Sequence, residues 1–162
     1  MSQEAGHRMR GRGTEGSEAT SGSDLRLDGV HAELTRSVIG AAIAVQRSLG
    51  PGLLETAYEA CLEHELRLAG HRVERQVSLG LTYRGLTVPL AFKMDMVVDD
   101  VLVIELKVAE AFAPEHEAQI LSYLRFSGKP VGLLLNFGVY PMGRKGIRRF
   151  VMQARPDSVS SE

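Results

Sequence analysis

The fold is decided by an apolar run that ends in two charges, VLVIELKV at residues 101–108. Side chains alternate along a β-strand, so Glu105 and Lys107 share one face while Ile104 and Leu106 share the other. Burying two charges at the end of an apolar strand costs free energy unless each has a partner or a metal. Since Glu-x-Lys arises often by chance, the stretch predicts a buried strand that ends in either a salt bridge or a site.

An acidic residue ten positions earlier, Asp95, favours the site. Two facing carboxylates repel each other, and a hard divalent cation between Asp95 and Glu105, Mg²⁺ or Mn²⁺, relieves that repulsion. The backbone carbonyl of Leu106 would add an oxygen ligand. Lys107 would then orient a water or stabilise negative charge at phosphorus.

The turn between the two carboxylates provides a geometric test. A strict two-residue turn at Asp99-Asp100 would place Asp95 opposite Ile104, on the face away from Glu105. The metal site needs a register offset by one residue, which a three-residue loop or a β-bulge supplies. We therefore predict such an irregularity within residues 96–102.

Hydrophobic periodicity predicts an α/β fold, a mixed β-sheet flanked by α-helices. Residues 25–155 would form this domain, between a disordered N-terminal tail, 1–24, and a flexible C-terminal tail, 156–162. Pro89 suggests that its strand is an edge strand or carries a bulge. The predicted helices are 31–49, 54–69 and 114–126, and the predicted strands are 77–83, 86–91, 93–98, 101–108, 131–137 and 147–152.

The composition excludes several classes of protein and site. The single cysteine, Cys61, excludes an internal disulfide and a cysteine-based metal cluster, and no apolar run approaches the roughly 20 residues of a membrane helix. With no secretory signal in the sequence, we expect a cytoplasmic protein. Net charge is −1, yet residues 118–156 contain seven basic residues and no acidic one. That stretch would suit a phosphate backbone, although charge alone favours a solvated surface.

Two predicted helices bring further polar groups towards this site. Glu55 and Tyr58 are three residues apart and Gln119 and Tyr123 are four apart, so each pair shares a helix face. Tyr58, Gln119 and Tyr123 could hydrogen-bond phosphate oxygens and position a substrate. Each residue also has a structural explanation, because Glu55 suits a first helical turn and the tyrosines suit a core.

Gly52, Glu55 and Tyr58 form the pattern Gly-x-x-Glu-x-x-Tyr, which resembles the signature of the prokaryotic GxxExxY protein family. That family is placed in the PD-(D/E)xK nuclease superfamily, near the RecB-like nucleases. The resemblance covers about residues 31–151 and continues through KMD at 93–95, ELK at 105–107, HEAQILSYL at 116–124 and GLLLNF at 132–137.

The resemblance implies a restriction-endonuclease-like core and a role for each residue of the motif. Asp95 and Glu105 match the metal carboxylates, Lys107 the catalytic lysine, and Glu55 the helical acid that completes the metal shell. Gln119 and Tyr123 match a Gln-x-x-x-Tyr element that supports the active site. Two positions depart from the pattern, Gln46 where many relatives have histidine and Met94 where the superfamily has proline.

These features lead to one main functional prediction and two alternatives. The main prediction is a metal-dependent nuclease that hydrolyses phosphodiester bonds of DNA, with RNA as the other substrate. The first alternative is a non-catalytic module on the same fold that binds nucleic acid or protein. The second is a hydrolase of small phosphorylated molecules, which a deep closed pocket would favour. The small domain leaves little room for a wide substrate platform, so a homodimer or an unknown protein partner would complete it.

Overall fold

The computed structural model describes residues 27–152, so both predicted tails lie outside the described residues. The predicted order of helices and strands is confirmed, with one correction: residues 86–98 form one long strand instead of two. A short 3₁₀ turn, Arg144–Gly146, precedes the last strand. The elements are α1 Ala32–Leu49, α2 Glu55–Leu68, β1 Val73–Tyr83, β2 Leu86–Val98, β3 Leu102–Lys107, α3 Pro114–Ser127, β4 Val131–Asn136 and β5 Ile147–Val151.

The five strands form a mixed sheet in the order β1-β2-β3-β4-β5. β3 and β4 are parallel and are joined through α3, and the other neighbouring strands are antiparallel. Every residue of β4 is buried, which is typical of a strand with so apolar a sequence that is covered on both faces. The structure therefore confirms the α/β class with helices on both faces of the sheet.

Two hydrophobic cores lie on opposite faces of this sheet. α1 and α2 cover one face, where Ile104 and Leu106 of β3 are buried. α3 covers the other face and packs on Val103. Alternation along β3 directs Glu105 and Lys107 to the α3 side, the face of Val103. None of the helices within residues 27–152 is long and apolar enough to cross a membrane.

The hairpin of β1 and β2 changes faces in the middle. Val73 packs in the α1–α2 core but Val77 packs against the α3 core, although residues four apart in a strand normally share a face. Between them Gln76 has a φ angle of 52° and is missing from the ladder. In β2, Met94 packs in the α3 core but Met96 packs in the α1–α2 core, although residues two apart normally share a face. The regular alternation of β2 is therefore interrupted at Asp95.

A bulge explains why the sequence suggested two strands where β2 is one. Leu79 pairs with Phe92 and Leu81 pairs with Val88, so three residues of β2 oppose Gly80 alone. Pro89 lies in this bulge, which confirms the prediction of an edge or bulged strand. A Cβ at Gly80 would lie 2.8 Å from the Val88 carbonyl oxygen, so the close approach of the two backbones requires glycine.

Candidate active site

The turn between β2 and β3 contains three residues. Val98 pairs with Leu102, and the Val101 N–H donates to the Val98 carbonyl at 3.0 Å. Asp99 and Asp100 have φ angles of 51° and 59°, a region that aspartate adopts more readily than most residues. Because the turn has one residue more than a tight hairpin, the pairing is offset by one, and the predicted irregularity is confirmed.

This offset places Asp95 opposite Glu105. Asp95 Oδ2 accepts the Leu106 backbone N–H at 2.8 Å, which ties the carboxylate of β2 to β3. Lys107 Nζ donates to Glu105 Oε1 at 2.9 Å. The structure therefore brings Asp95, Glu105 and Lys107 together, and the Glu-x-Lys pair forms a salt bridge next to a second carboxylate.

Burial sets the electrostatics of this cluster. The Glu105 side chain is only 4% exposed, and burial together with the nearby charge of Asp95 raises its pKa to about 7 despite the opposing effect of Lys107. Burial also raises the pKa of Asp95, against the hydrogen bond from Leu106. Burial alone would lower the pKa of Lys107, but its hydrogen bond to Glu105 and the surrounding carboxylates raise it. Lys107 is therefore an ammonium at neutral pH.

One oxygen of this cluster is unsatisfied. Glu105 Oε2 is buried and has no hydrogen-bond partner within the described range, 27–152. A buried carboxylate oxygen without a donor costs free energy, and a second carboxylate beside it adds repulsion. A divalent cation would relieve both costs, so the chemistry of Asp95 and Glu105 fits a hard metal ion. The Leu106 carbonyl is directed towards the β2 side, because alternate backbone groups of β3 bond to β4.

Glu55 is near the two carboxylates but is not grouped with them in this side-chain arrangement. The sequence suggested that Glu55, Asp95 and Glu105 share one metal, but across residues 27–152 no three acidic, histidine or cysteine side chains are arranged to hold one. Glu55 is the first residue of α2 and lies partly exposed. Its charge still reaches the site, since it raises the pKa values of both Asp95 and Lys107.

A second acid on α2, Glu59, was not singled out from the sequence. It is 2% exposed and accepts hydrogen bonds from Arg75 Nε and Gln76 Nε2, each at 2.9 Å. Its charge raises the pKa of Asp95 more than the charge of Glu55 does. Its position could have revealed it, because Glu59 falls on the buried stripe of α2 one turn after Glu55.

α3 supplies the predicted pair of Gln119 and Tyr123. Gln119 Nε2 donates to the Tyr123 hydroxyl at 2.6 Å, and that hydroxyl donates to the Lys93 carbonyl at 3.1 Å. Burial raises the pKa of Tyr123, and the charges of Glu105 and Asp95 raise it further. The Tyr123 hydroxyl therefore stays protonated and lies within electrostatic reach of both carboxylates.

Tyr58 lies in the core and not, as the sequence suggested, at a surface where it could position a substrate. It is fully buried and stacks on Phe137 with ring centroids 4.6 Å apart. Its hydroxyl donates to the Gly50 carbonyl at 2.5 Å and accepts the Leu53 N–H at 3.3 Å. Tyr58 thus fixes the turn that leads into α2, and so influences the placement of Glu55 without being reachable by a substrate.

Two buried amides hold the segments next to the site, and sequence reasoning gave neither this role. Asn136 Oδ1 accepts the N–H groups of Ala109 and Gly138, at 3.0 and 2.9 Å, and its Nδ2 donates to the Ala109 carbonyl at 2.9 Å. This fixes the chain two residues after Lys107. Gln46, which replaces the histidine of many relatives, binds three backbone groups of residues 137–142.

Comparison with known proteins identifies the superfamily of the chain. A family model of the PD-(D/E)XK nuclease superfamily matches residues 32–150. No curated protein and no solved structure matches the chain. The matched range extends from α1 into β5 and contains every site residue described above.

Proposed function

Because this chain belongs to the PD-(D/E)XK nuclease superfamily, we propose that it is a metal-dependent nuclease that hydrolyses phosphodiester bonds in DNA, with RNA as the alternative substrate. The observation that carries the proposal is the buried pair Asp95 and Glu105 with Lys107 bound to Glu105. The Gly-x-x-Glu-x-x-Tyr pattern at residues 52–58 supports a place in the GxxExxY family.

Asp95 and Glu105 would hold Mg²⁺ or Mn²⁺, with the Leu106 carbonyl as a further oxygen ligand. Rotation of the partly exposed Glu55 side chain would bring a third carboxylate. A divalent cation, when bound, supplies positive charge against the phosphate and lowers the pKa of water. The Glu105 Oε2 atom supports this assignment, because in the ionised state it accepts no hydrogen bond in the described part of the chain and lies beside the second acid, Asp95.

The protein's own groups have separate tasks in this proposal. Lys107 keeps its proton, since its pKa is raised, and it therefore stabilises charge at phosphorus or orients water instead of acting as a base. Tyr123 also stays protonated, and with Gln119 it presents hydrogen-bonding groups beside the carboxylates. Tyr58 and Asn136 position the elements that carry Glu55 and Lys107.

The test is cleavage of single- and double-stranded DNA and of RNA with Mg²⁺ or Mn²⁺, using wild type and Lys107→Ala. We expect Lys107→Ala to lower the rate about a hundredfold or more. Lys129→Ala is a matched control, because Lys129 is also a lysine paired with a carboxylate, Asp100 at 2.8 Å, and lies at the other end of β3. Equal rates in wild type and Lys107→Ala, or no cleavage of any substrate by wild type, would refute the proposal.

A non-catalytic module is the second candidate, and the separate position of Glu55 favours it. Metal titration followed by thermal unfolding distinguishes the two, since a real site raises the melting temperature as Mg²⁺ or Mn²⁺ rises. Hydrolysis of a small phosphorylated molecule has less support. A cavity of about 520 Å³ lies between α1 and α2, and its lining includes Val45 and Cys61 but no residue of the candidate site.

A further inference from the structure

Three polar side chains from separate parts of the chain form a hydrogen-bonded relay outside the candidate site. Ser37 lies in α1, His71 follows α2, and Asp99 lies in the β2–β3 turn. Ser37 Oγ is 2.7 Å from His71 Nε2, and His71 Nδ1 is 2.7 Å from Asp99 Oδ2. A hydroxyl, an imidazole and a carboxylate in this order are the arrangement that activates a serine nucleophile.

Asp99 is fixed at the end of the relay. Its Oδ1 accepts the Arg72 backbone N–H at 2.8 Å, and its own N–H donates to the Arg72 carbonyl at 2.8 Å. Burial tends to raise the pKa of Asp99, but the hydrogen bonds from His71 and Arg72 outweigh it and the pKa lies below its ordinary value. Asp99 is therefore a carboxylate at neutral pH and can only accept hydrogen bonds.

The carboxylate determines the tautomer of the imidazole. Because Asp99 only accepts, the proton of a neutral His71 lies on Nδ1, and Nε2 is left as the acceptor for the Ser37 hydroxyl. The hydroxyl thus points its proton at a base that is already oriented. The His71 side chain is 17% exposed and that of Asp99 is 37% exposed, so the relay is at the protein surface.

We propose that Ser37 is a nucleophile that is covalently acylated by an activated acyl donor, such as a thioester or an active ester. Ser37 Oγ attacks the carbonyl carbon, and a new O–C bond forms while the bond from that carbon to the leaving sulfur or oxygen breaks. The Ser37 proton passes to His71 Nε2 and then to the leaving group. The proposal does not rest on the nuclease function, because the relay shares no residue with the metal site.

The position of Ser37 in α1 favours a single acylation of this side chain over catalytic turnover. It is the sixth residue of α1, so its backbone N–H bonds to the preceding turn and cannot donate to an oxyanion. Without that donation only an activated donor reacts, and the ester formed on Ser37 is hydrolysed slowly. We therefore expect one acyl group for each chain instead of steady turnover.

The experiment treats the full chain with p-nitrophenyl acetate in the presence of EDTA, and peptide mass spectrometry then locates the acetyl groups over time. Ser48, an exposed serine on the same helix, is an internal control that needs no variant. We expect Ser37 to be acetylated about a hundredfold faster than Ser48, the acceleration that an oriented base provides. Similar rates at Ser37 and Ser48 would overturn the proposal.

Two variants test the relay itself. Asparagine, like aspartate, tolerates the left-handed backbone conformation of this position, and its side-chain oxygen can still accept the Arg72 N–H. Asp99→Asn therefore removes only the charge that orients His71. We expect acetylation of Ser37 to slow at least tenfold in Asp99→Asn and in His71→Gln, and to be unchanged in His64→Gln, an exposed histidine of α2. Wild-type rates in a folded Asp99→Asn protein, verified by its melting temperature, would show a purely structural cluster.

Discussion

Replacing Glu105 with glutamine should remove a pH-dependent loss of stability from the metal-free protein. The folded state holds the pKa of Glu105 at about 7, above its ordinary value of 4.5. Between these values the folded protein binds more protons than the unfolded chain. The stability that protonation gives is therefore fully present below pH 4.5 and is lost as the pH rises through about 7.

The size of this effect follows from the same two values. The gap from 4.5 to about 7, at about 1.36 kcal/mol for each pH unit, corresponds to roughly 3 kcal/mol. In Glu105→Gln the side-chain NH₂ group replaces the unpartnered oxygen and can donate a hydrogen bond to Asp95. The substitution also removes the repulsion between the two carboxylates. The gain is partly offset because Lys107 loses a charged partner. We expect the variant to be about 2–3 kcal/mol more stable than wild type at pH 8.

The assay is urea unfolding from pH 4.5 to pH 8 in EDTA, repeated at pH 8 with Mg²⁺ or Mn²⁺. Wild type should lose stability across this range, and Glu105→Gln should lose less by about 3 kcal/mol. Metal should stabilise wild type at pH 8 and have little effect on Glu105→Gln. Glu110→Gln is the control, because Glu110 is an exposed glutamate between β3 and α3.

Parallel pH profiles of wild type and Glu105→Gln would refute the reasoning, since Glu105 would then titrate as an ordinary surface acid. A profile that changes equally in Glu110→Gln would refute it too, because the effect would then reflect net charge alone. Any constant offset between such parallel profiles would reflect a change in packing.

Three further substitutions test the groups that position the site. Tyr58→Phe should cost about 1–2 kcal/mol of unfolding free energy, because the Gly50 carbonyl loses its donor, and it should lower cleavage with little change in metal-free secondary structure. Asn136→Ala should cost about 2–4 kcal/mol in urea unfolding, since two partly shielded backbone N–H groups and the Ala109 carbonyl lose their partner. A cost below about 1 kcal/mol would contradict the bonding described. Gly138→Ala should cost about 1–3 kcal/mol, because its Cβ would lie 2.5 Å from the Ala109 carbonyl oxygen, a backbone atom; an unchanged melting temperature would show that this segment yields easily.

Much of the fold could be predicted because the signals are local. The unbroken apolar sequence of β4 identifies a strand buried on both faces, and Pro114 marks the first turn of α3. The turn at residues 50–52 likewise separates α1 from α2. These patterns depend on neighbouring residues alone, so they hold before any tertiary contact is known.

The parts that escaped prediction depend on residues distant in the sequence. The exchange of faces in the β1–β2 hairpin involves a positive φ angle at Gln76, a position where the sequence has no glycine to indicate it. The helical position of Glu59 indicates burial, but its partners Arg75 and Gln76 reach it only when β1 packs on α2. The relay of Ser37, His71 and Asp99 joins residues up to 62 positions apart, from a helix, a loop and a turn.

The sequence by itself determined the strand of residues 101–108, the alternation that puts Glu105 and Lys107 on one face, and the need for an offset turn after β2. Only the tertiary structure decided that Asp95 lies beside Glu105 and that Lys107 pairs with Glu105. The physical reason is that alternation is a property of the backbone, whereas repulsion among carboxylates depends on burial and distance. Those are set when two strands and two helices pack together, and they raise the pKa of Glu105 to about 7.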